Sequence, residues 1–459
     1  MAVATLAGSS TSAAQRTATA TAERPRWGWI YLFWMLMLTT FASFRSRHAT
    51  ELLGGAGIDA QVQYQLAIWV LFGGLAAWQL LNGRVELRLL GSGPLFWFAC
   101  FGSLALLSSV HSAMPALTFF RSGQLLIALV LVVSLGEAIR DVHRLALLYI
   151  GVNTLLVLIA ATGLDGGIEW IRGPGDSFLP RSGTAEVPWR FASAFGHPSL
   201  ISIAAACTAL SLAARSRGGR WWVSGPVILW MLLVLLLTAS RTAIAGFLGG
   251  AAVLVVTHRK FHLPALAAVT VGSAMLMVPV VQDRAARYLL RGQDATEFKS
   301  LTGRDVIYSA ALERATAALP WGEGFQGGRV EVLDEQGAEV GIAHAHNLLL
   351  ECLIGNGFAG LLIGCLFLAS LCWRVGVLLW AQRQRRSATG DVDNDAVELA
   401  AVICPLLAFC ILDRGFAAPV DPVVLLFLAV AGHTQKVWLA ASDRYRAAVA
   451  TRQPSEQLV

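Results

Sequence analysis

Apolar runs of about 18 residues recur along this chain from Trp27 to its C-terminal region. Each is long enough to cross a bilayer core. Inside that core no water meets the backbone, so a spanning segment must be a helix or part of a closed barrel. The alternating strands of about ten residues that mark a barrel are absent. Composition points the same way: 56% of the 459 residues are hydrophobic and 14% are charged, against about 25% charged in a soluble globular chain. Mean hydropathy is +0.61. The chain therefore reads as an all-α polytopic membrane protein. Disordered, collagen-like and disulfide-scaffold classes are excluded.

Spans are expected near 27–44, 64–81, 94–110, 117–136, 144–164, 197–214, 221–239, 241–257, 263–281, 358–380, 396–412 and 421–437, which makes about twelve. Basic residues orient them. Arg84/Arg88, Arg140/Arg144, Arg215/Arg217/Arg220, Arg259/Lys260 and Arg383/Arg385/Arg386 all fall in short loops of one parity, which the positive-inside rule makes cytoplasmic. Segment 221–257, flanked by two such clusters, then crosses twice, with a hairpin at Ser240–Arg241. Both termini are expected in the cytoplasm, with the loops 165–196 and 282–345 and the Asp413–Asp421 turn on the opposite side. Domain limits follow: a disordered tail over 1–23, a bundle of about nine spans over 24–281, an outer loop over 282–345, three further spans over 346–440 and a tail over 441–459.

A net charge of +6 invites a nucleic-acid partner, but the basic residues are scattered over loops rather than gathered on one face, and that reading is rejected. The seven cysteines lie in or beside apolar stretches, without metal-pair spacing. No cofactor is called for.

Chemistry gathers on the outer face. The 282–345 loop is too long to be structureless in a compact protein, and short helices capping the bundle are expected there. His344-Ala345-His346-Asn347 opens a Pro-free apolar helix longer than a bilayer needs, so Glu351 and Asn356 should stand near the interface. His346 and Gly357, eleven residues apart, fall on one face of a continuous helix, with Gly360 close by. Those small residues suit a close-packed neighbour, and an interfacial cap with a packing motif explains the pattern as readily as catalysis does. A zinc site lacks a third ligand of recognisable spacing.

Arg241, in the hairpin Thr238-Ala239-Ser240-Arg241-Thr242, is an arginine embedded between apolar spans at a helix N-terminus, a setting that favours an anion. Snorkelling to a lipid phosphate is the competing account. Arg304 opens an amphipathic stretch after Ser300-Leu301-Thr302-Gly303 and suits phosphate recognition, or equally an ion pair with Asp305 or Glu297. Pro320-Trp321-Gly322-Glu323-Gly324-Phe325 follows. Arg190 and His197, within 190–199, share the same face, where a cap or loop anchor is as good a role as ligand contact. Arg284, Arg287 and Arg291 guide a lipid or hug the membrane surface. Two motifs are decoys: Gly322-x-Gly324-x-x-Gly327 lacks the strand–helix setting of a dinucleotide loop, and Asp391-Val392-Asp393 is a solvated cytoplasmic linker.

His346-Asn347, nine residues, then Gly357-x-x-Gly360 resembles the signature of bacterial O-antigen ligases and their Wzy-type polymerase relatives. The Ser240-Arg241 hairpin, the Gly303-Arg304 helix and the Pro320–Phe325 turn stand in matching order. Ser199 departs from the pattern, where relatives often carry Asn. The resemblance implies a membrane glycosyltransferase of the GT-C type in the bacterial inner membrane, working on the periplasmic face. Its donor would be an undecaprenyl-pyrophosphate-linked glycan and its acceptor a sugar hydroxyl of lipid A–core. Arg241 and Arg304 would hold the pyrophosphate and His346 would be the base. Arg190, His197, Asn347, Arg287 and Arg291 are further candidate contacts, Gly357 and Gly360 would be structural, and no metal is implied. O-antigen polymerase and protein O-oligosaccharyltransferase share these motifs and differ in acceptor. A lipid-linked-sugar flippase is the rival from another class, but transporters place polar groups near the bilayer midplane and often carry internal repeats, neither of which is seen here.

Overall fold

The apolar runs form helices wherever the computed structural model describes them: residues 30, 32–35, 60–161, 191, 197–216, 221–290, 304–327, 330–333, 339–342, 345–389 and 394–450. In chain order these are α1 (Ala60–Leu81), α2 (Pro94–Leu107), α3 (Pro115–Ser134), α4 (Val142–Ala161), α5 (Pro198–Arg215), α6 (Trp221–Leu237) and α7 (Arg241–Thr257). Then come α8 (His262–Leu276), α9 (Pro279–Leu290), α10 (Arg304–Ala317), α11 (Leu348–Thr389), α12 (Asn394–Leu412) and α13 (Pro422–Ala450). A short antiparallel hairpin pairs β1 (Val330–Leu333) with β2 (Glu339–Ile342), adding strands to an outer loop expected to be helical.

Among the described residues, seven helices are long and apolar enough to cross a membrane. The expected spans at 94–110 and 221–239 appear as shorter apolar helices. Those at 241–257 and 263–281 form a pair bent by 118°, either a broken span or a re-entrant loop. Most of the first expected span, 27–44, lies outside the described residues. So do Arg190, Arg291, His344, Gly303 and the Asp391–Asp393 linker. The last helix continues to Ala450, into the segment assigned to a tail.

Glycine sets the closest packing. A Cβ on Gly246 would come within 2.4 Å of Pro405 Cα, and one on Gly250 within 2.4 Å of the Ala401 carbonyl. This small-xxx-small stripe lets the backbones of α7 and α12 nearly touch. The two contacts run in opposite directions along the chain, so the helices are antiparallel and Arg241, at the start of α7, stands level with the last turn of α12.

The long helix α11 breaks. Asn356 (φ −133°) and Gly357 (φ +60°) leave the helical region, so the eleven-residue spacing from His346 does not carry one face past the kink. Broken ladders in a membrane need other partners for the freed groups, and the Pro320–Phe325 turn supplies them. Glu323 N–H donates to the Ile354 carbonyl at 2.7 Å, Gly324 N–H to Gly355 at 2.9 Å, and Phe358 N–H to Pro320 at 3.1 Å. A Cβ at Gly357 would stand 1.8 Å from the Pro320 oxygen. Gly360 packs against Asn356 and Cys352 of its own chain segment. Gly357 thus admits this turn, while Gly360 relieves crowding within its own helix.

The decoy glycines take their meaning from the same latch. Gly322 and Gly324 have φ of +77° and +94°. Side chains there would strike the Gly357 and Asn356 amides and Ser112. Phe325 carries the turn into an aromatic core, meeting Phe101 edge-on at 5.9 Å. Phe416 of the Asp413–Asp421 turn meets Phe367 edge-on at 4.6 Å in the same core.

Candidate active site

Three successive positions at the C-terminal end of α12 collect the residues singled out from sequence. Asn347 donates through Nδ2 to the Ile411 carbonyl at 3.1 Å. Arg304 donates to the Leu412 carbonyl. His346 Nδ1 lies 3.7 Å from Asp413 Oδ1. Helix C-terminal carbonyls have no partner within their own helix and attract cations and donors. That is why Arg304 and Asn347 meet this strip of backbone, while His346 meets the Asp413 side chain that follows it.

His346 is held from several directions. It adopts φ +50°, an uncommon conformation for a side-chain-bearing residue and one that clusters at functional sites. Its carbonyl accepts from Tyr308 Oη at 3.1 Å, one turn along α10 from Arg304. Asn347 caps α11: its Oδ1 accepts from Leu349 N–H at 3.0 Å and Leu350 N–H at 3.3 Å. Glu351 reaches back to accept from Ala345 N–H at 2.6 Å. The expected cap is therefore real, and it also fixes the imidazole.

Asp413 is the acid of the site. Burial pushes its carboxyl up, but contact with His346 and the charge of Arg414 outweigh burial and hold it below the ordinary value. Arg414 Nε lies 3.8 Å from the same Oδ1. Asp421 closes the turn by capping α13, accepting from Val423 and Val424 N–H at 2.8 and 2.9 Å. Burial raises its pKa to about 6.

Arg241 donates to the Leu290 carbonyl at 2.9 Å, and Ser240 caps its helix. Its guanidinium is close enough to that of Arg304 for the two positive charges to repel. Arg121 feels the like charge of Arg414, and Arg414 in turn adjoins Asp413. Bringing cations together is unfavourable unless an anion joins them, so this end is built to receive negative charge.

Not every expected contact is brought in. His197 caps α5, its Nδ1 accepting from Ser199 N–H at 3.3 Å, which is the cap role. Arg287 lies on α9, its side chain outside the described residues, and Arg190 and Arg291 lie wholly outside them. Among the described residues no three His, Cys, Asp or Glu gather as metal ligands. The sequence reading passed over Asp413, Arg414, Tyr308 and Arg121. Only Arg121 carried a signal, an arginine inside an apolar span.

Fold and site together define a polytopic helical membrane protein with a histidine–carboxylate pair and clustered guanidinium groups at one end of its bundle. The family model described as O-antigen ligase matches residues 226–365, consistent with membership of the O-antigen ligase/Wzy family. That stretch holds Arg241, Arg304, His346, Gly357 and Gly360, while Asp413, Arg414 and Arg121 lie outside it. Members of the family are glycosyltransferase-like ligases and polymerases, which supports an enzyme role. No curated protein matches the chain.

Proposed function

We propose that the chain is a glycosyltransferase of the bacterial inner membrane, with its site on the periplasmic face and both termini in the cytoplasm. It moves an O-antigen glycan from undecaprenyl pyrophosphate to a sugar hydroxyl of lipid A–core. The observation that carries this reading is the convergence of His346, Asn347 and Arg304 on Ile411–Asp413, with Arg241 level with the same turn.

The chemistry follows from the groups. The negative charge of Asp413, 3.7 Å from Nδ1, favours the tautomer with its proton on Nδ1 and its lone pair on Nε2, the form a general base needs. The imidazole takes the acceptor hydroxyl proton as that oxygen bonds to the anomeric carbon and the carbon–oxygen bond to pyrophosphate breaks. Asp413 stabilises the imidazolium so formed. The lipid pyrophosphate leaves with additional negative charge, which Arg241 and Arg304 meet with preorganised donors. Two guanidinium groups serve here without a divalent ion. Attack opposite the leaving group inverts the anomeric centre in one displacement.

Ligation and polymerisation share these steps and differ in acceptor. Purified protein in proteoliposomes, given lipid-linked glycan with lipid A–core and a second lipid-linked repeat in competition, tests the assignment. Glycan on lipid A–core, formed in EDTA, is the expected product. Chain growth on the lipid-linked repeat makes the protein a polymerase. Glycolipid crossing the membrane without a new glycosidic bond makes it a transporter, and strict dependence on added divalent cation removes the metal-free step.

A further inference from the structure

Away from α7 and α10, a groove of about 690 Å³ opens between α1 and α3 toward the membrane. Its walls are apolar, with Trp69, Val70, Phe119, Phe120 and Ile127 among them. Two glycines hollow it. A Cβ on Gly123 would meet nothing within 4 Å, and one on Gly73 would meet only Ile127, at 3.5 Å. At its polar edge the buried Gln124 holds Arg121, whose Nη1 donates to Gln124 Oε1 at 3.1 Å. Arg121 has no acidic partner among the described residues, and its nearest charged neighbour of note is the like-charged Arg414. Arg414 in turn touches Asp413, and Asp413 touches His346. The polar edge of the groove thus reaches Arg121 through Gln124, and the contacts of Arg414 with Asp413 and of Asp413 with His346 lead on from there to the proposed base.

We propose that this groove seats the acceptor lipid: acyl chains between α1 and α3, and a phosphate of its headgroup at Arg121 and Arg414. Charge complementarity carries the choice of an anionic lipid, because a guanidinium within an apolar span needs an anion that reaches it from the membrane. Placement carries the choice of acceptor over donor, and this step rests on the glycosyl-transfer reading. In that reading Arg241 and Arg304 hold the donor pyrophosphate. Their helices pack on α12, α5 and α11, whereas α3 packs on α1, α2 and α13. Two lipid substrates thus approach from different walls, and neither must leave before the other can bind.

Gly123→Leu fills the groove where the structure has open space, and leucine is the better helix former. Arg121→Gln removes the cation. In proteoliposomes with saturating donor, Gly123→Leu is expected to raise KM for an acylated, phosphorylated lipid A–core about tenfold. The KM for the same headgroup after deacylation stays put. Arg121→Gln raises KM for both phosphorylated acceptors and spares a dephosphorylated one. The donor KM is unchanged in both variants. A raised donor KM, or acceptor KM values equal to wild type, overturns the proposal.

A second readout does not need turnover. A photoreactive acyl chain on a phosphorylated glucosamine disaccharide should label α1 and α3 in donor-free protein and lose that labelling in Gly123→Leu. Labelling that Gly123→Leu leaves intact overturns the groove assignment. Absence of transfer by wild type with any acceptor, with labelling normal, defeats the glycosyl-transfer reading instead.

Discussion

The two ends of the bundle handle charge in opposite ways. At the end away from His346, cations meet acids directly. Arg215 binds Glu398 at 2.6 Å, Arg140 and His433 flank Asp395, Lys436 meets Glu86 at 3.4 Å and Arg88 meets Asp443 at 2.5 Å. Ser211 adds a hydrogen bond to Glu398 at 2.5 Å. At the His346 end, Arg241 and Arg304 donate to backbone carbonyls and repel one another, as do Arg121 and Arg414. One end is neutralised and locks helices together. The other also pairs Arg414 with Asp413 and Arg314 with Glu323 but in addition brings guanidinium groups together, which in the proposed reading serve to bind substrate phosphates.

Breaking the charged pair at the active end should have the largest effect. Arg241→Gln with Arg304→Gln is expected to cut transfer about 10³-fold, in line with the loss of preorganised charge stabilisation, while thermal stability stays near wild type. Relief of the mutual repulsion offsets the lost carbonyl contacts. A double variant that transfers normally makes the two ends equivalent.

The opposite end should answer in stability rather than rate. Glu398→Ala takes the buried carboxylate away from the half-buried Arg215 and from Ser211 and is expected to cost about 1–3 kcal/mol, read as a lower unfolding temperature in detergent. Transfer per folded molecule should not change. A rate loss without a stability loss would reverse the roles assigned to the two ends.

Gly357→Ala tests the latch that joins the kink in α11 to the active end. Its φ of +60° and the 1.8 Å approach to Pro320 predict a loss of at least about 2 kcal/mol. Thermal unfolding measures it, and a neutral outcome would show that the turn moves aside freely.

Asp421 gives the smallest effect, a change of slope with pH. Its folded pKa of about 6 lies above the ordinary 3.8, so the folded chain holds the proton more tightly. This contribution to stability is complete below about pH 3.8 and is lost as pH rises through about 6. Asp413, held below the ordinary value, contributes stability above that value and loses it as pH falls below. Asp421→Asn keeps an oxygen for the α13 cap and should flatten the fall between pH 4 and 6. An unchanged slope there would assign the proton to another group.

Much of the active end was legible because sidedness constrains a membrane chain. Loop basicity sent Arg241, Arg304 and His346 to one face, and the family match spans all three. Asp413 and Arg414 were placed on that face only as part of a short turn. Their contact with His346 depends on how α11 meets the end of α12, and no local pattern encodes that register. Gly246 and Gly250, which set the depth of Arg241 against α12, look like ordinary small residues until the partner backbone is known. The break at Asn356–Gly357 was hidden for a related reason: glycine in an apolar run fits a straight packed helix as well as a kink. What distinguishes them is the turn at 320–325, whose N–H groups answer the freed carbonyls from far away in sequence. His197 shows the converse. Its place before Pro198 fits a cap, and a cap is what formed.

The central claim is that His346, fixed by Asp413, removes the acceptor proton. Single-turnover transfer from bound lipid-linked glycan to lipid A–core, in EDTA, compares wild type with His346→Ala most directly. The account predicts unchanged donor affinity and a transfer rate at least about 10²-fold lower. Transfer by the variant at the wild-type rate, with donor equally bound, would contradict it.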